Sequence, residues 1–114
     1  MQRLTLDKET SQMNMVELAH NSCYVKDGKA RYRDYETDID AREVARKLLK
    51  DFAGDDDAFE SDEDFEDYIA DCLQYGLENA EGLIAVFYRN LWAMAELRER
   101  LKMYEDMEQA VKQP

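Results

Sequence analysis

CYVKDGKARYRDY, residues 23–35, decides the fold. Asp27-Gly28 lies between two runs that alternate apolar and polar side chains. Asp-Gly suits a two-residue type I′ turn, whose central residues both need positive φ. The turn sets the register: Lys26 faces Lys29, Val25 faces Ala30, Tyr24 faces Arg31 and Cys23 faces Tyr32. Cys23, Val25, Ala30 and Tyr32 then share one apolar face that packs on the helices. Tyr24, Lys26, Lys29, Arg31 and Arg33 share the other.

Outward from the hairpin the periodicity is helical. On its N-terminal side, MNMVELAHN (residues 13–21) reads as a short helix capped by Asn14, with Met15, Leu18 and Ala19 inward. Residues 1–12 have no periodicity and read as a loose lead-in. On its C-terminal side, Asp38 is placed to cap a helix whose first turn holds Asp40 and Glu43. Ala41, Val44, Ala45, Leu48, Leu49 and Phe52 form its apolar stripe, Lys47 and Lys50 lie toward its end, and Gly54 closes it. Ser61 with Asp64 opens a second helix with Phe65, Tyr68, Ile69, Cys72 and Leu73 inward and Gly76 past its end.

Asn79 then caps a long last helix, residues 80–111. Leu83, Phe87, Asn90, Met94, Leu97, Leu101, Tyr104, Glu108 and Val111 follow one another by four and three, a heptad-like seam with two polar members. Ile84, Tyr88, Leu91 and Trp92 add a second apolar face as far as Ala95; beyond Glu96 the seam alone remains, with Arg98, Glu99, Arg100 and Lys102 in solvent. The expected fold is therefore α+β and predominantly helical. It is a single domain over residues 1–114, with one β-hairpin (23–35) on three to four helices and a helical region at 39–112.

Composition agrees. The 114 residues are 45% hydrophobic and 37% charged, enough for a small core and unlike a disordered chain. No apolar run approaches the roughly 18–20 residues of a membrane span, and MQRLTLDKETSQ lacks the apolar centre of a signal peptide. A cytoplasmic protein is expected, with Cys23 and Cys72 reduced. Net charge is −12 and unevenly distributed: +2 over residues 1–33, −14 over 34–81, and zero over 82–114. Direct contact with nucleic acid or an anionic membrane through the middle segment is disfavoured; a cationic partner is favoured.

Chemistry-bearing motifs are incomplete. A calcium loop starting at Asp55 would have Asp55, Asp57 and Glu66 as ligands, but Phe59 and Glu60 occupy the ligand and glycine positions between them; starting at Asp62 puts Leu73 where a glutamate is needed. His20-x-x-Cys23 with Cys72 gives three soft ligands where structural zinc takes four. With one histidine, no phosphate-binding glycine loop and neither cysteine in a recognisable context, no catalytic residue, metal or cofactor is expected. The basic and aromatic run at residues 31–35 reads as the outer hairpin face, paired within the chain to the acidic helix.

Eleven carboxylates and no cation lie between residues 51 and 71 in addition to the hairpin's mild positive charge elsewhere. Carboxylates projecting from a helix can imitate the sign and spacing of nucleic-acid phosphates. In size, acidity and helical content, and in the run DDDAFESDEDFEDY (residues 55–68), the chain resembles small acidic inhibitors of phages and other mobile elements, including anti-CRISPR and anti-restriction proteins. The resemblance implies a nucleic-acid mimic that inhibits a nucleic-acid-binding protein. The expected function is thus non-enzymatic: Asp55, Asp56, Asp57, Glu60, Asp62, Glu63, Asp64, Glu66 and Asp67 dock on a basic protein surface. The alternative is a homo-oligomer joined through Leu97, Leu101 and Tyr104 of the last helix. A second alternative is weak divalent-cation binding at the acidic run.

Overall fold

The computed structural model describes residues 2–54 and 61–112. Its regular elements are α1 (Met15–Asn21), β1 (Cys23–Lys26), β2 (Lys29–Arg33), β3 (Asp38–Asp40), α2 (Ala41–Ala53), α3 (Asp62–Cys72) and α4 (Ala80–Lys112), with 3-10 turns at Thr10–Gln12 and Leu73–Tyr75. The fold is α+β and predominantly helical, as expected. The one domain expected from length divides into two compact units: Met1–Asp40 with Leu91–Pro114, and Ala41–Asn90.

In the first unit, β1 and β2 pair in the register set by the turn, Cys23 with Tyr32 through Lys26 with Lys29. Asp27 and Gly28 both take positive φ, 53° and 74°. The sheet has a third antiparallel strand that the sequence reading lacks: Arg31 faces Asp40, Tyr32 faces Ile39 and Arg33 faces Asp38. Asp34 makes the turn into β3, its Oδ1 accepting from the backbone N–H groups of Glu36 (3.1 Å) and Thr37 (2.9 Å). Asp38 is therefore a strand residue, and the helix it was expected to cap begins at Ala41.

The third strand also corrects the hairpin faces. Tyr24, expected to face outward, is 9% exposed. The Arg33 guanidinium covers its ring at 4.2 Å, and its hydroxyl donates to Asp38 Oδ1 at 2.6 Å. Ala30 is fully buried as expected, whereas Cys23, Val25 and Tyr32 are half-buried. Helix α1 carries the expected cap: Asn14 accepts from the Glu17 N–H and Glu17 returns the bond to the Asn14 N–H. Leu18 and Asn21 are its buried residues; Met15, in its first turn, and Ala19 are exposed.

Residues 2–7 have no regular structure, yet they are held firmly. Asn21, 0% exposed, accepts at Oδ1 from Leu6 N–H (2.8 Å) and Arg98 Nε (3.0 Å) and donates from Nδ2 to the carbonyls of Leu4 (3.0 Å) and Glu17 (2.9 Å). Arg98 also donates to the Leu6 carbonyl at 2.9 Å. Glu105 accepts from the Leu4 and Thr5 N–H groups and from the Thr5 hydroxyl. The lead-in is thus strapped to α4. Arg98, expected in solvent, is 6% exposed, because it continues the buried row Leu91, Ala95 under that strap.

In the second unit, Ala41, Ala45 and Leu49 of α2, Phe65, Ile69 and Cys72 of α3, and Ile84, Ala85 and Tyr88 of α4 are buried. Phe65 meets Tyr88 edge-on with ring centroids 5.7 Å apart, and the Arg46 guanidinium lies 4.9 Å from the Phe65 centroid. Phe52, expected to extend the α2 stripe, lies beyond the row Ala41, Ala45, Leu49 and is exposed. Asn79 Oδ1 accepts from the N–H of Glu81 at 2.8 Å, capping α4 as expected. Gly82 is obligatory at the start of that helix, since a Cβ there would stand 2.0 Å from the Gly76 carbonyl oxygen.

Candidate interaction surfaces

Helix α3 begins at a cap, Ser61 Oγ accepting the Asp64 N–H at 3.1 Å. Asp62, Glu63 and Asp64 fill the first turn, where the exposed N–H groups favour negative charge. Phe65, Ile69 and Cys72 recur by four and three, so burying them fixes which way every carboxylate on the helix points.

That rotation splits the acids into two sets. Asp62 and Glu66, one turn apart, belong to an internal network with α2. Arg42 reaches Glu66 at 2.9 Å and Asp62 at 3.8 Å, Arg46 reaches Asp62 at 4.0 Å, and the Tyr88 hydroxyl donates to Glu66. Such partly exposed pairs contribute about 0–1 kcal/mol each. Their main effect here is to neutralise two of the carboxylates assigned to partner binding. Glu63 and Asp67 are exposed on the other side with no ion pair among the described residues, and Asp71 extends their row by one more turn. Asp64 is exposed beside them. Asp55, Asp56, Asp57 and Glu60 lie outside the described residues. Asp71 is the member that the sequence reading left out, although its four-residue spacing from Asp67 marks it.

The hairpin's cations were expected to pair with the acidic helix; the partners described for them lie in their own unit. Arg31 Nε donates to Asp38 Oδ1 at 3.0 Å, and Arg33 Nε donates to the Asn21 carbonyl at 2.9 Å. The Tyr32 hydroxyl donates to Asp34, and that of Tyr35 to the Met13 carbonyl. The basic and aromatic run is therefore engaged within its own unit. Burial alone would raise the Asp38 carboxyl, but hydrogen bonds from Tyr24 and Arg31 and the charges of Arg31 and Arg33 outweigh it and hold it below the usual carboxylate range.

Leu97, Leu101 and Tyr104 stand on one side of α4 with 65%, 36% and 57% of their surfaces exposed. Leu101 and Tyr104 line an open groove of about 310 Å³ together with Arg3, Glu105, Glu108 and Gln109.

Other chemistry has less to draw on. Cys23 and Cys72 are not joined in a disulfide; burial pushes the Cys23 thiol up, which reduces its thiolate and its reactivity. Among the described residues no group of three or more His, Cys, Asp and Glu side chains is arranged to hold a metal ion. None of the described helices is long and apolar enough to cross a membrane. Comparison with protein-family models, with curated proteins and with solved structures gave no match.

Proposed function

We propose that this protein is a non-enzymatic interaction module whose α3 carboxylates dock on a basic protein surface, such as the site where a nucleic-acid-binding protein holds its phosphates. The observation that carries this reading is the exposed row Glu63, Asp67 and Asp71, which among the described residues lacks the arginine partners that Asp62 and Glu66 have. Successive members are one turn apart, about 6 Å along the axis. Like charges at that spacing repel one another, and a lysine- or arginine-lined groove relieves the repulsion. The contact residues are Glu63, Asp64, Asp67 and Asp71, with Asp62 and Glu66 reserved for Arg42 and Arg46. The reading places the protein in a reducing, cytoplasmic setting, with Cys23 and Cys72 as thiols.

The test begins with capture of a partner from the native host and continues with that partner purified. Glu63→Lys/Asp67→Lys/Asp71→Lys should weaken its Kd by at least about tenfold, equivalent to ~1.4 kcal/mol. Binding of the parent should weaken as salt rises. Equal affinity of parent and variant for the purified partner sinks the reading.

A further inference from the structure

We propose that α4 is also the surface through which two copies of this chain associate, antiparallel, about a twofold axis beside Glu99. This proposal is independent of the α3 reading.

Two parallel rows run along α4. Ile84, Tyr88, Leu91, Ala95 and Arg98, spaced by four and three, are buried within the chain. One position earlier, a second row with the same spacing faces solvent from Leu83 to Val111, its apolar members 36–85% exposed. The 3.5-residue period is that of a helix packing along another helix over several turns. Among the described residues the chain buries the first row and leaves the second with a third or more of each apolar side chain exposed.

The pattern itself identifies the occupant. In an antiparallel pair, facing positions have residue numbers with a constant sum. Placing Leu97 opposite the partner's Leu101 sets Met94 opposite the partner's Tyr104 and Phe87 opposite the partner's Val111. The two polar members of the row, Asn90 and Glu108, then face each other, an amide donor against a carboxylate. A shift of one heptad in one direction sets Asn90 against the partner's Leu101; a shift in the other sets Glu108 against the partner's Leu97. A parallel pair in register sets Glu108 against the partner's Glu108, a like-charge clash. Of these arrangements only one matches every apolar member from Phe87 to Val111 with an apolar one, and it is self-complementary, as a twofold interface must be. On the exposed flank one position before the row, where facing numbers sum to 200 instead of 198, Ala93 and the partner's Met107 also come together. Arg100, nearest the axis, is the one repulsive element, and Glu96 lies one turn before it on the same side.

The area is sufficient. Taking about 200 Å² for a large apolar residue fully in water, the exposed parts of the row from Phe87 to Val111 with Met107 amount to roughly 750 Å² per copy, near the ~800 Å² that each partner gives to a standard interface.

Sedimentation of the full chain over a range of concentrations tests the association. A dimer is expected, twice the 13.4 kDa chain mass, and Leu97→Glu/Leu101→Glu should raise its dissociation constant by at least about tenfold. Both leucines are exposed, so the helical circular dichroism of the variant should match the parent. Oxidative cross-linking tests the register. Met94→Cys mixed with Tyr104→Cys should form the mixed disulfide, mapped by peptide mass spectrometry to separate it from Cys23 and Cys72. Met94→Cys alone should not link through residue 94, because in this register its two copies are about 15 Å apart along the axis, beyond the ~7 Å Cα limit of a disulfide. A monomer at every concentration, a dimer indifferent to the glutamates, or self-linking of Met94→Cys overturns the proposal.

Discussion

Replacing Asn21 with alanine should be among the most damaging single changes in the first unit. Asn21 is fully buried and its carboxamide makes four hydrogen bonds. Its orientation is dictated by its neighbours: an N–H and a guanidinium on one side require the oxygen, and two carbonyls on the other require the nitrogen. The Glu17 carbonyl belongs to α1, so its loss matters least. Without the side chain, the Leu6 N–H, the Leu4 carbonyl and Arg98 Nε lose their partner beneath the strap. Each orphaned buried group costs about 1–3 kcal/mol. Water reaching the outermost of them lowers the sum, so the expected loss is about 3–5 kcal/mol. Alanine's better helix propensity returns only about 0.5 kcal/mol. Hydrogen exchange at the Leu6 amide reads this directly and should accelerate by two or more decades, since about 1.4 kcal/mol is tenfold. A double-mutant cycle with Arg98→Met should show coupling of about 1 kcal/mol or more, because both changes break the same bond. Unchanged protection at Leu6, or strict additivity, would refute the assignment of Asn21 as the hub.

Three further outcomes follow from the geometry. Gly82→Ala gains about 1 kcal/mol in helix propensity but drives a Cβ into the Gly76 backbone, so the melting temperature of the variant should fall; a rise would show that the Gly76 turn yields freely. The carboxyls of Asp34, Asp38 and Glu105 are all held below their unfolded values. Backbone hydrogen bonds lead at Asp34; at Asp38 and Glu105 hydrogen bonds and nearby arginines outweigh burial. Their stabilisation is complete above an unfolded pKa of about 4 and is lost as pH falls through the folded values. Urea midpoints should therefore drop below about pH 4, and less steeply in Glu105→Gln. Alkylation at neutral pH should reach half-buried Cys23 before buried Cys72, read by peptide mass spectrometry; the reverse order would contradict the burial assigned to the two thiols.

The parts of the fold that depend on neighbours in sequence were legible. Asp27-Gly28 with its flanking alternation yields the hairpin register, and Asn14, Ser61 and Asn79 cap where their side chains suggest. The parts that depend on distant residues were not. Asp38-Ile39-Asp40 is too short, with a single apolar residue, for its alternation to mark it as a strand, and an aspartate before an apolar stripe looks like a cap. Tyr24 and Arg98 read as solvent-facing because what covers them, Arg33 with Asp38 and residues 4–6 with Asn21, is brought there by folding. The acidic surface was half legible: its position came from the sequence, but the separation of Asp62 and Glu66 from Glu63, Asp67 and Asp71 depends on Arg42 and Arg46 of another helix.

The strap has a consequence for how the chain is made. Thr5 and Glu105, joined by three hydrogen-bonding groups with Leu4, are 100 positions apart. During synthesis the first unit cannot close until residue 105 has left the ribosome, about 3–13 s after residue 40 at about 5–20 residues per second. Residues 41–90 form their own compact unit inside that interval. For those seconds the sheet, with Tyr24 and Ala30 buried in it, stands without the stretch of α4 that belongs to its unit. A nascent chain stalled in that window would present a strand-rich fragment to chaperones and proteases, with its helical counterpart not yet translated.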